Sequence, residues 1–174
     1  MSLAIRRATE ADAAVLASLS TACFIEAFGH LYVEEDLQAF LQEAHSLEAW
    51  EQLLGNRQYA TWIVGNGEAL GYATAGTCSL PHADVRAEDG ELKRIYLRQQ
   101  LQNGGWGGKL FQTAMDWLEH DGPRTLWIGV WSQNIGAQRF YARHGFEQVG
   151  EYEFPVGRVR DREFILRRAK KGSE

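Results

Sequence analysis

The chain has 174 residues, a formal net charge of −5 and 45% hydrophobic residues. That length favours one domain, residues 1–174, with a sizeable core, and the charge excludes nucleic-acid binding driven by bulk electrostatics. Three prolines and no low-complexity tract exclude long disordered segments. No apolar run approaches ~18 residues, so no leader or membrane span is expected and the chain reads as cytoplasmic. Cys23 and Cys78 lack C-x-x-C spacing and read as reduced core thiols. None of the five histidines forms an H-x-x-x-H pair on an expected helix, so no metal site is indicated.

In chain order, Ala4 to Arg7 reads as a first strand, and Thr9 with Asp12 resembles a capping box. Val15, Leu16, Leu19, Ala22 and Cys23 then recur with helical spacing. Leu37, Phe40, Leu41 and Ala44 mark a second helix, and Ser46 can cap a third carrying Trp50, Leu53 and Leu54. Ala60 to Val64 and Ala69 to Cys78 are strand-like and flank Asn66-Gly67, which predicts a hairpin. Glu91 to Leu97 reads as a strand that runs through a glycine-rich turn into a helix marked by Leu110, Ala114, Met115, Trp117 and Leu118. Gly122-Pro123 stops that helix, and Thr125 to Trp131 is a β-rich run. Asn134 can cap a helix through about His144, with Gly145 placed to end it in a left-handed turn. Phe146 to Phe154 and Arg162 to Leu166 can form a closing hairpin, and residues 170–174 read as a solvated tail. The order predicts an α/β (α+β) domain whose mostly antiparallel sheet carries helices on both faces.

The sharpest local signal is Leu101-Gln102-Asn103-Gly104-Gly105-Trp106-Gly107-Gly108-Lys109-Leu110, between a strand and an amphipathic helix. Its glycines let the backbone turn tightly and approach a ligand closely. The first N–H groups of a helix lack intrahelical partners and face the positive end of its dipole, so a pyrophosphate is the natural ligand. A P-loop does not fit, because Leu110 follows Gly108-Lys109 and Asn103 stands at the leading glycine position. A dinucleotide fingerprint does not fit either, because Leu110 replaces its third glycine. On glycine content alone, a merely flexible turn remains open.

Gln102-x-x-Gly105-x-Gly107 resembles the Q/R-x-x-G-x-G/A signature of the GCN5-related N-acetyltransferases. Asn134-x-x-Ala137-x-x-Phe140-Tyr141-x-x-x-Gly145-Phe146 resembles that family's second signature, and the likeness runs from about Ile5 to Arg167. Trp127 to Asn134 and Phe24 to Phe28 are similar, in a finer comparison, to bacterial spermidine/spermine N-acetyltransferases.

The resemblance implies a central mixed sheet of about seven strands, splayed between the fourth and fifth. It implies acetyl-coenzyme A as co-substrate, with the pyrophosphate on the backbone N–H groups of Asn103, Gly104, Gly105, Trp106, Gly107 and Gly108, and Gln102 at the turn entrance. The pantetheine arm would pair with the strand around Ile95, Tyr96 and Leu97, using the backbone of Ile95 and Leu97, and Asn134 would contact the coenzyme near it. Tyr141 matches the general acid that protonates the leaving thiolate. The attacking amine must lose a proton, and Glu91, Glu26 or a water chain are the candidates to remove it. Glu26, Phe28 and Tyr32 would line the acceptor site, where aromatics can hold an ammonium. Glu34, Glu35 and Asp36 add carboxylates nearby, though they also suit an ordinary first helical turn.

The leading expectation is therefore acetyl transfer to a primary amine on a small cationic molecule such as a polyamine, with no metal, nucleic-acid or membrane partner and either a monomer or a homodimer. A peptide or protein N-acetyltransferase and a non-catalytic coenzyme A sensor are the alternatives. A deep acidic acceptor pocket would favour the first, an open groove the second.

Overall fold

The computed structural model describes residues 2–171. β1 (Ala4–Arg7) leads through a 3-10 turn (Glu10–Asp12) into α1 (Ala13–Phe28), and a second 3-10 turn (Gly29–Leu31) precedes α2 (Glu34–Ala44) and α3 (Leu47–Leu54). The N-terminal capping box forms, with Thr9 N donating to Asp12 Oδ2 at 2.8 Å. Burial does not leave Asp12 unpaired, because Arg6 bonds both its oxygens and holds its carboxyl low, at about 2. Ser46 caps α3 by accepting from Ala49 N.

β2 (Ala60–Gly65) and β3 (Ala69–Thr77) form the expected hairpin. Gly65 pairs with Ala69 across a register shift, and Gly67 at φ 107° supplies the left-handed turn residue. β4 (Gly90–Leu97) continues through the glycine turn into α4 (Trp106–Leu118). This helix begins ahead of its first apolar marker, Leu110, so Gly107 and Gly108 form its opening turn. There, helix propensity counts for little because the N–H groups have no intrahelical acceptor. β5 (Leu126–Trp131), α5 (Ile135–Arg143), β6 (Glu147–Val156) and β7 (Val159–Arg168) follow. Gly145, at φ 89°, ends α5 as expected. Lys170, in the expected tail, donates its N–H to Thr125 Oγ1, and residues 172–174 lie outside the described residues.

Among the described residues, seven strands form one sheet in the order β1-β2-β3-β4-β5-β7-β6, antiparallel except for β4 and β5. Those two pair only through Gly90–Leu126, Glu91–Trp127 and Leu92–Ile128, and beyond Leu92 they diverge. This is the expected splay. α4 packs on one face over Leu92, Ala73 and Ile128; α1 and α3 pack on the other over Ile63 and Tyr72.

One helix bears on the expectation that no segment spans a membrane. Glu10–Leu31 is long and apolar enough to cross a membrane by length and composition alone, with an 18-residue window of mean hydropathy 1.4. Ser18, Ser20 and Thr21 break its apolar run, while its alanines, leucines and phenylalanines keep the average high. Its inner face is committed to the domain, with Leu16, Leu19 and Cys23 buried against Trp50 and Tyr72, and Ser20 accepting from Trp50 Nε1 at 2.8 Å.

Candidate active site

The divergence of β4 and β5 opens two connected spaces. The first is a cleft of about 730 Å³ between β4, the glycine turn and the start of α5. Arg98 N donates to Leu70 O on β3, so strand alternation turns the backbone groups of Ile95 and Leu97 toward the departed β5. They are strand-edge donors and acceptors without a strand partner, although Gln102 Nε2 reaches back to Leu97 O at 3.2 Å. At the far end, Asn103 (φ 68°) and Gly105 (φ 82°) are both left-handed, which folds the turn into a concave row of N–H groups. Lys109 N bonds Gly105 O, so the N–H groups of Trp106, Gly107 and Gly108 are the ones left without helical partners. A Cβ at Gly105 or Gly108 would meet nothing within 4 Å, which is the geometry of a cradle open to a ligand.

The second space is a cavity of about 360 Å³ on the other side of the divergence. Its roof is aromatic: Phe24, Phe28, Tyr32 and Phe40 from α1, α2 and their connection. Its floor is the splayed sheet, which contributes Glu91, Arg94 and Tyr96 from β4, Trp131 from β5, Tyr152 from β6, and Asp161 and Glu163 from β7. Tyr32 donates its hydroxyl to Asp161, tying roof to floor. Glu91, 6% exposed, accepts on Oε1 from Ser79 N and Lys93 Nζ, both at 3.0 Å. Arg94 stacks over Trp50 and donates to Ala44 O.

Tyr141 on α5 lines both spaces. It is 7% exposed, and its hydroxyl has no hydrogen-bond partner among the described residues. Burial pushes the phenol above its ordinary value, so at neutral pH it holds its proton and can only donate it. Two other groups are ruled out as actors at neutral pH. Cys23 lines the cleft, but burial raises its thiol to about 12, so it is not a thiolate nucleophile. His45 lines the cavity, but burial and Arg94 lower its imidazole to about 3, so it is not a proton acceptor.

The cleft gathers Ile95, Tyr96, Leu97, Gln102, Asn103, Gly105, Gly107, Gly108 and Asn134, nine of the residues expected to hold the coenzyme. Gly104 and Trp106 do not line it; the Trp106 ring packs on the core under Lys109 Nζ at 4.3 Å. Asn134 caps α5 through Oδ1, leaving its amide N–H groups for a ligand. The acceptor candidates divide. Phe28 lines both spaces and Tyr32 the cavity, whereas Glu26 lies in the cleft, bonded to Arg98 Nε at 3.1 Å and Gln99 N at 2.7 Å. Sequence reasoning missed Asp161, Glu163 and Tyr152. A signal was present: on a strand through Asp161 to Ile165, alternation puts both carboxylates on one face with an apolar residue.

The comparisons fit this geometry. The family model described as "Acetyltransferase (GNAT) family" matches residues 17–146. An uncharacterised N-acetyltransferase from the pepI 3′ region of Lactobacillus delbrueckii subsp. lactis is 29% identical over 170 residues, covering 95% of this chain and 96% of the relative. An uncharacterised N-acetyltransferase of Mycobacterium tuberculosis is 29% identical over 89% of this chain and 96% of its own length. Among solved structures, the PaiA N-acetyltransferase of Thermoplasma acidophilum in complex with coenzyme A superposes with a TM-score of 0.75 at 19% identity, covering 97% of this chain and 99% of that one. The ribosomal-protein-alanine N-acetyltransferase of Brucella melitensis gives 0.71 at 22% identity, covering 95% and 99%. With a family model over most of its length and the splayed sheet that goes with it, this chain belongs to the GNAT family of acetyltransferases.

Proposed function

We propose that this protein transfers the acetyl group of acetyl-coenzyme A directly to a primary amine on a small cationic molecule, with a polyamine as the best single candidate. The observation that carries the reading is Tyr141, an unpartnered, protonated phenol facing both the cleft and the cavity. The donor belongs in the cleft. Its amide-rich pantetheine arm suits the free edge of Ile95 and Leu97, and its pyrophosphate suits the N–H groups from Asn103 to Gly108. The coenzyme A held by the similarly folded Thermoplasma protein supports this fit. Tyr141 then gives its proton to the departing sulfur. With the Cys23 thiol protonated, direct attack in a ternary complex is favoured over an acetyl-enzyme.

The acceptor belongs in the cavity. Its enclosure under α1 and α2, its aromatic roof and its carboxylates Glu91, Asp161 and Glu163 favour a small ammonium-bearing molecule over an extended peptide. Phe28 and Tyr32 would hold methylene spacers and ammonium ends. Glu26, tied to Arg98, orients the end of α1 instead of meeting the acceptor. The test is a panel assay of acetyl-coenzyme A consumption against polyamines, amino acids, aminoglycosides and peptides, using saturation kinetics. Highest kcat/KM for spermidine over a neutral amine of similar length is the expected result. A preference for peptides would move the assignment to a protein N-acetyltransferase, and donor binding without transfer to any amine would make it a sensor.

A further inference from the structure

Glu163 differs from every other carboxylate around the two spaces. Glu26 is paired with Arg98, and Glu91 with Lys93 and the Ser79 N–H. Asp161 accepts from Tyr32. Glu163 has no cation and no backbone donor among the described residues; its one partner is the Tyr152 hydroxyl, which donates to Oε1 at 3.1 Å. Its Oε2 is left free on the wall of the same cavity that Tyr141 lines.

The sheet builds this arrangement. Glu163 pairs across from Trp131 on β5 and from Tyr152 on β6, so it stands where the floor of the cavity has left β4 behind. Gly129 on β5 makes room for the Tyr152 ring: a Cβ there would lie 2.8 Å from the Tyr152 hydroxyl oxygen. The titratable groups facing Glu163 are Tyr152 on β6, Asp161 on its own strand, Tyr32 from the roof and Tyr96 on β4. Glu91, Lys93, Arg94, His45 and Tyr141 line the rest of the cavity. Burial pushes the Glu163 carboxyl up to about 7; the nearby Asp161 charge adds to this and the Tyr152 hydrogen bond opposes it. A carboxyl poised there exchanges protons near neutrality. The unpartnered Tyr141 phenol on the same cavity is the independent sign that a reacting ligand belongs between the two groups.

We propose that Glu163 binds the reacting ammonium and takes its proton, with Tyr152 as the positioning residue that holds the carboxylate. The inference rests on the amine-acetylation reading above. The ammonium passes one proton to Glu163 and keeps the lone pair on nitrogen. Nitrogen bonds to the thioester carbonyl carbon, and the C–S bond breaks as the carbonyl re-forms. Sulfur takes the Tyr141 proton, and the second proton lost by nitrogen returns to Tyr141. Glu163 releases its proton to solvent, so one ammonium and one thioester give one amide, one thiol and one proton.

The test is kcat/KM for spermidine against pH in the wild type and in Glu163→Gln, Tyr152→Phe and Glu91→Gln, with coenzyme A affinity measured by calorimetry on each. The wild type should show an acid limb with a midpoint near 7. Glu163→Gln should lose roughly 10²–10⁴-fold and the limb itself, because only free amine, with a reference pKa near ~10, can then react. Tyr152→Phe removes a hydrogen bond to the charged carboxylate, so its limb should move to higher pH. Glu91→Gln should leave the midpoint in place. A Glu163→Gln protein with wild-type donor affinity, a rate within about threefold of wild type and an unmoved limb would overturn the proposal. A second measurement separates this from failure of the function itself. Spermidine binding to the coenzyme A complex at pH 6.5, in buffers of different ionisation enthalpy, should release a fraction of a proton in the wild type and none in Glu163→Gln. Equal proton release in both proteins overturns the role of Glu163 whether or not any amine is acetylated.

Discussion

The two spaces beside the splayed strands are made from different materials. The cleft proposed for the donor is mostly backbone: the unpaired edge of Ile95 and Leu97, the left-handed turn at Asn103 and Gly105, and the free N–H groups opening α4. The cavity proposed for the acceptor is mostly side chains drawn from the α1–α2 roof and from β4, β5, β6 and β7. A backbone site recognises a constant ligand and tolerates changes in its side chains, provided the turn keeps its shape. A side-chain site can be re-specified by single substitutions. The difference suits a reaction with one donor and a selectable acceptor.

The contrast can be broken most severely at the glycine turn. Gly105→Glu puts a side chain at φ 82° and a negative charge into the space proposed for the pyrophosphate, and coenzyme A binding should fall below detection by calorimetry in a folded variant. Unchanged affinity would remove the pyrophosphate from this turn. A smaller effect is expected at Asp161→Asn, which keeps the acceptor for the Tyr32 hydroxyl but removes the charge. KM for spermidine should rise roughly tenfold, in line with one partly screened charge interaction, while KM for a neutral amine and donor affinity stay put. An equal rise for both amines would mean lost packing instead of lost charge.

The smallest effect sharpens the electrostatic side of the comparison. Glu163 is raised in the folded protein from an ordinary 4.5 to about 7, so between those values the folded state binds more protons than the unfolded one. Stability from this group therefore falls as pH rises from 4.5 to 7 and stays reduced above. Glu163→Gln should consequently raise Tm by a few degrees at pH 8, with the gain shrinking toward pH 5. A gain that does not depend on pH would place Glu163 outside the buried environment described.

The same contrast explains what was readable in the sequence. The glycine turn, the strand before it and the Asn134 cap are local, so their chemistry is carried by neighbouring residues and survives translation into structure. The hairpins and helices were legible for the same reason, since periodicity and caps are local. The proposed acceptor cavity was legible only in part, through Phe28, Tyr32 and Glu91. Tyr32 meets Asp161 only because α1–α2 folds over β7, and Glu163 reaches the cavity only because β7 inserts between β5 and β6. Glu26 stood out by lying on the segment that leads to the acceptor side, but Arg98 lies within its reach and turns it to the cleft. Glu163 stands among Arg160, Arg162, Arg167 and Arg168 in the sequence, and only the sheet places it on the cavity wall.

The most direct test of the whole account is Tyr141→Phe, because that hydroxyl is where the backbone-built and side-chain-built halves are held to meet. The ring and its packing against Phe111 and Phe146 remain, and only the proton donor is lost. Steady-state turnover and donor affinity should be measured on the same preparation. The account predicts a fall in kcat of roughly 10²–10⁴-fold with coenzyme A affinity essentially unchanged. Turnover within about twofold of wild type would contradict it and make Tyr141 a core tyrosine.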